Sequence, residues 1–191
     1  MNRESKITLN NDCCDHDELG SFHIAVCGDH GVGKRTLISK LKELWKETVD
    51  SVSTKTTYDA YGISDMGLAV TKRNTSRVSS LERVTVCDAY LLVYSLTDAA
   101  SFQSVVAHRE RLLDQHGIAV PIVFVANKVD IAGPTEKVDS VTRDLNITCQ
   151  WEHGYVEVSA EDDVYIYKVI EQLVKHYTRV GPELRKGSSN A

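Results

Sequence analysis

One short stretch restricts what this chain can fold into: Gly28-Asp29-His30-Gly31-Val32-Gly33-Lys34-Arg35-Thr36. It follows the apolar run Phe22–Cys27 and leads into leucines at helical spacing, Leu37, Leu41 and Leu44, with Trp45. Glycine, four residues, glycine and lysine is the pattern of a loop that cradles phosphate. Residues without Cβ let the backbone approach the oxygens and take positive φ. Successive N–H groups at a helix N-terminus add fixed positive potential, and Lys34 adds a point charge. Gly28 to Thr36 are therefore the first candidate binding residues. Arg35 departs from the pattern, which has Ser or Thr there to ligate Mg²⁺. Thr36 is turned by about 100° on a helix and is no direct replacement. Arg35 can direct its cation at phosphates or lie in solvent, and the sequence leaves both open.

Strand and helix patterns alternate along the rest of the chain. Tyr90–Tyr94 and Pro121–Ala126 read as strands covered on both faces. Between them, Thr97-Asp98 can cap a helix that turns Phe102, Val105, Val106, Leu112 and Leu113 inward. Tyr155–Val158 reads as a last strand, and Ile166 to Tyr177 as a last helix stopped by Gly181-Pro182. Upstream, Val49–Lys55 reads as a loop. Thr56–Ile63 and Leu68–Thr71 read as strands joined by a hairpin turn at Ser64–Gly67, and Lys72–Ser80 as an exposed segment. Residues 131–154 show no clear period. This order predicts an α/β fold with a mainly parallel sheet, whose ligands bind beyond the carboxyl ends of the strands.

Two further segments follow strand ends. Asn127-Lys128-Val129-Asp130 places a carboxylate, Asp130, where it can accept from N1 and the exocyclic N2 of guanine; adenine offers no such pair. Asn127 can tie segments together, and the Lys128 stem can lie over the base. The backbone at Ser159-Ala160 can approach O6.

With these segments the chain resembles the Ras superfamily of small GTPases, over about residues 20–180, through "GDHGVGK", "DAYLLVYSLTDAASF", "VPIVFVANKVD" and "VEVSAED". Asp88–Phe102 look most like the Ras-type and the Rad/Gem-like (RGK) or Rerg-like branches. The resemblance implies a P-loop NTPase fold, a Ras-like G domain over 21–180 with a mainly parallel six-stranded sheet flanked by helices. It implies GTP or GDP held by Gly28–Lys34 and by Asn127, Lys128, Asp130, Ser159 and Ala160. It also implies a protein effector engaged through about residues 49–80.

Several departures bear on turnover. The family's Asp-x-x-Gly-Gln serves Mg²⁺, senses the γ-phosphate and orients attacking water. Its position by strand order falls at Thr71-Lys72-Arg73-Asn74, which has neither Asp nor Gly. The literal match Asp59–Gly62 comes too soon after Lys34, and no switch threonine stands out among Thr54, Thr56 and Thr57. His30 replaces a glycine that leaves room for the glutamine and an arginine finger. The expectation is a guanine-nucleotide-binding signalling protein with slow or absent hydrolysis, no assigned catalytic residue, and Mg²⁺ left open. The alternatives are an active switch with a metal site rebuilt from Asp59, Asp65 and Thr36, and a nucleotide-free scaffold with Arg35 in the metal site, paired with Asp29.

Bulk properties narrow the setting. At 191 residues, 42% hydrophobic and 26% charged, the chain predicts one globular domain, with polar arms at 1–20 and 181–191. A net charge of −5 speaks against a nucleic-acid partner. The five cysteines, Cys13, Cys14, Cys27, Cys87 and Cys149, have no metal-ligand spacing and fit a reducing compartment. No apolar run approaches roughly 20 residues, and neither prenylation nor myristoylation signals are present. A cytoplasmic monomer without a lipid anchor is expected. The basic residues Lys175, Arg179, Arg185 and Lys186 offer at most peripheral contact with the inner face of the plasma membrane.

Overall fold

The structure, a computed structural model, describes residues 21–50, 67–74, 87–117 and 120–180. Five strands form one sheet among them: β1 (Ser21–Gly28), β2 (Gly67–Asn74), β3 (Ala89–Ser95), β4 (Ile122–Asn127) and β5 (Gly154–Val158). Their order is β2-β1-β3-β4-β5, and every pair is parallel. Four α-helices accompany them: α1 (Lys34–Asp50), α2 (Ala99–His116), α3 (Pro134–Leu145) and α4 (Ile166–Val180).

Up to their last residues, Ser95 and Asn127, the central strands β3 and β4 carry largely apolar side chains because helices cover both faces. Each residue of β3 and β4 is buried. Alternate side chains feed two separate cores, as the strand period of two requires. Ile24, Val26, Leu91, Val93, Val123 and Val125 pack with Leu37 and Leu41 of α1 and with Val169, Ile170 and Leu173 of α4. Tyr90, Leu92, Tyr94, Ile122 and Phe124 pack with Val105 and Leu112 of α2. The Asp98 carboxylate caps α2, accepting from the N–H groups of Ala100 and Ser101 at 3.0 and 3.3 Å. Cys27 lies in the second core, and Cys87 packs against it.

Three expectations change, and a fourth lies outside the described residues. Helix α1 runs on to Asp50, so Val49 and Asp50 are helical rather than loop. Strand β2 takes in Leu68–Thr71 as expected but runs on to Asn74 in parallel with β1, so Lys72–Asn74 are strand rather than part of a separate segment. The partner strand predicted at Thr56–Ile63, and with it the sixth strand and the hairpin turn as far as Met66, lies outside the described residues. Residues 131–154 contain a regular helix, α3, followed by a wider helical turn at Asn146–Gln150. Pro134 starts α3 at a position where a missing N–H is harmless. Its apolar residues Val138, Val141 and Leu145 face outward while Ser140 is buried, so the amphipathic signal is inverted. The terminal segments 1–20 and 181–191 also lie outside the described residues.

Candidate nucleotide site

The phosphate loop leaves β1 at Gly28 and enters α1 at Lys34. Two of its glycines have no substitute on steric grounds. A Cβ on Gly28 would sit 2.1 Å from the Val93 carbonyl oxygen of β3. A Cβ on Gly33, whose φ is +94°, would sit 2.2 Å from Nδ2 of Asn127. Gly31 needs its glycine for a different reason: its φ is +80°, although the space above it is open.

Lys34 is buried, and its ammonium group turns back onto the loop. It donates to the carbonyl of Gly28 at 2.8 Å and to that of Asp29. The cation is thus held at the centre of the loop. The Val32 side chain is buried in the first core, so only its backbone faces the loop, and its carbonyl is already engaged. Asp29 is half-buried, while His30, Gly31 and Arg35 are exposed; Thr36 is half-buried.

Asn127, at the end of β4, joins the three segments. Its Nδ2 donates to the Val32 carbonyl at 2.8 Å, and its Oδ1 accepts from the Ala160 N–H at 3.0 Å. Asn127 is 3% exposed. Both faces of its amide are therefore used, which fixes the amide orientation. Lys128 follows with φ +67°, an uncommon conformation for a residue with a side chain. Its side chain is half-buried and that of Asp130 exposed. Ser159 and Ala160 are buried behind β5. Paired backbone hydrogen bonds between Ser159 and Val164 close the loop after them, and the Ser159 hydroxyl meets the Asp162 carboxylate at 3.2 Å. Lys40 of α1 reaches Asp163 at 2.7 Å, tying that loop to the helix behind the phosphate loop. The Asp163 carboxylate raises the Lys40 pKa.

The structure therefore brings Gly28–Thr36, Asn127–Asp130 and Ser159-Ala160 to one edge of the sheet. Sequence reasoning missed the buried role of Val32 and the Lys40–Asp163 pair. The hydrophobic type of Val32 signals the first; nothing in the spacing signals the second.

Among the described residues, the surroundings of the loop do not suit a divalent cation. Mg²⁺ takes oxygen ligands in a near-octahedral shell. The position behind Lys34 holds an exposed guanidinium, Arg35. The strand end beside the loop, Thr71-Lys72-Arg73-Asn74, runs in register with Ala25–Gly28 and contains no carboxylate. Among the described residues, no group of three His, Cys, Asp or Glu side chains could hold a metal. Asp59, Asp65 and the candidate switch threonines lie outside the described residues. No described helix is long and apolar enough to cross a membrane.

Comparison with known proteins agrees with this architecture. The Ras family model matches residues 23–179. The human "GTP-binding protein Di-Ras3" is 23% identical over 171 residues, covering 84% of this chain and 73% of that protein. "Ras-like protein rasU" of Dictyostelium discoideum is 24% identical over 166 residues, 82% of this chain and 75% of that one. The Drosophila melanogaster "GTP-binding protein Rheb homolog" is 34% identical over a shorter stretch of 86 residues, 44% of this chain and 46% of its own length. These relatives do not single out the Rad/Gem-like or Rerg-like branch. With the family model spanning both the phosphate loop and the Asn127 segment, the chain belongs to the Ras family of small GTPases.

Proposed function

We propose that this protein binds GTP and GDP through Gly28–Lys34, Asn127, Lys128, Asp130, Ser159 and Ala160, hydrolyses GTP slowly or not at all, and signals by engaging a protein partner. The observation that carries the reading is Asn127. Its two hydrogen bonds lock the phosphate loop to the loop after β5. Such a clasp holds a pocket ready for a base and its phosphates, so little ordering free energy is spent on binding.

The hydrolysis half follows from chemistry at the phosphate end. Efficient phosphoryl transfer needs charge neutralisation and an oriented water. The exposed imidazole of His30 stands on the loop where the family has glycine, and the end of β2 supplies neither carboxylate nor glutamine. The partner surface is assigned to residues 49–80, the stretch most altered from the family pattern. Calorimetric titration with GTP gives the binding half. Single-turnover phosphate release gives the other half, with Lys34→Ala as the control. Release within minutes, dependent on Mg²⁺ and abolished by Lys34→Ala, would favour an active switch instead. Absence of nucleotide binding would favour a scaffold.

A further inference from the structure

From the residues that meet at the phosphate end of the sheet, we infer that the chain holds guanine nucleotides without Mg²⁺, its own fixed cations supplying the charge a metal brings elsewhere. This rests on the nucleotide-binding reading above.

A nucleotide di- or triphosphate carries several negative charges, and these must be neutralised for it to enter a pocket. Three features of this chain do so without a metal. Lys34 is buried and pinned over the loop by the Gly28 and Asp29 carbonyls. The N-terminus of α1 begins at Lys34 and brings the positive end of the helix dipole to the loop. Arg35, the second residue of that helix, is exposed at the loop's side. A guanidinium is permanently charged and matches two phosphate oxygens at once.

The neighbouring strand has the same sign. Lys72 and Arg73 stand in register with Val26 and Cys27, immediately before the Asn74–Gly28 pair. A divalent cation here would therefore have cationic residues on the two elements that ordinarily supply its ligands. Arg35 in place of a hydroxyl on α1 and the lack of a carboxylate at the end of β2 act in one direction. The plainer reading of Arg35, a solvated surface side chain, leaves the phosphates short of positive charge. It makes metal-free binding weak and Arg35→Ser without effect.

The experiment is calorimetric titration of the full chain, stripped of nucleotide, with GDP in excess EDTA and again in millimolar Mg²⁺. The expected dissociation constants lie within tenfold of each other. Arg35→Ser is expected to weaken binding in EDTA by tenfold or more; circular dichroism checks that this exposed substitution leaves the fold intact. Tenfold or greater loss of wild-type affinity in EDTA would overturn the inference while leaving guanine binding standing. An unchanged Arg35→Ser affinity in EDTA would overturn it too. No GDP binding by the folded chain in either buffer would overturn the nucleotide reading together with it.

Discussion

Gly33 and Asn127 approach so closely that a single added carbon does not fit: a Cβ on Gly33 would lie 2.2 Å from the Asn127 amide nitrogen. That nitrogen cannot swing aside without giving up its bond to the Val32 carbonyl. Gly33 also has a φ of +94°, which strains any other residue. Gly33→Ala is expected to cost about 2–4 kcal/mol, from strain and a broken buried hydrogen bond together. Urea denaturation of the two proteins measures it.

Asn127→Ala tests the clasp from its other side. It leaves the carbonyl of buried Val32 and the N–H of buried Ala160 without their partner. Each unpaired buried group costs about 1–3 kcal/mol. The loss in denaturation free energy should exceed that of an exposed control such as Glu161→Ala. GDP affinity should fall with it.

Asp130 should separate binding from folding. Its side chain is exposed in the loop after β4, so nothing in the core depends on it. Asp130→Ala is expected to change stability by less than about 0.5 kcal/mol, as for other exposed sites. GDP affinity should fall at least tenfold, since hydrogen bonds from a base to a carboxylate are worth about 1.5–3 kcal/mol. Thermal melts and titrations on the same preparation check both halves.

Acid should destabilise the protein through a histidine at the opposite edge of the sheet. His153 is buried, stacked on Phe124 at 6.2 Å, and its Nε2 has no hydrogen-bond partner. Burial first, then the charges of Arg109 and His176, lowers its pKa from 6.5 to about 4. His176 is lowered as well, by burial and by Lys175 and Arg179. The unfolded chain therefore takes up protons below pH 6.5 that the folded chain refuses until near pH 4. Stability is full above pH 6.5 and falls as the pH drops through that window. From His153 alone the loss between pH 7.5 and pH 5 is on the order of 2 kcal/mol. Urea midpoints at the two pH values measure it, and His153→Gln should flatten the slope.

Much of this architecture can be read from the sequence where one physical requirement decides each residue. The doubly covered strands show as unbroken apolar runs, Tyr90–Tyr94 and Pro121–Ala126, because no polar residue is tolerated on either face. The Asp98 cap shows because few side chains can satisfy free helix N–H groups. Helix α3 does not show, because Val138 and Leu145 lie on its outer face and Ser140 on its inner one. Leu68–Thr71 reads as a strand, yet its parallel pairing with β1 is a long-range choice that no local pattern records. At the site, glycines and Asn127 follow from steric and hydrogen-bonding needs. The Lys40–Asp163 pair does not, because an exposed ion pair of long side chains imposes little on either residue's neighbours.

The central claim is that a guanine-selective pocket lies at the edge where the phosphate loop and Asn127 meet. Paired calorimetric titrations of the purified chain with GDP and with ADP, in the same buffer, test it most directly. GDP is expected to bind at least a hundredfold more tightly than ADP. Equal affinity for the two nucleotides, or no binding of either by the folded protein, would contradict it.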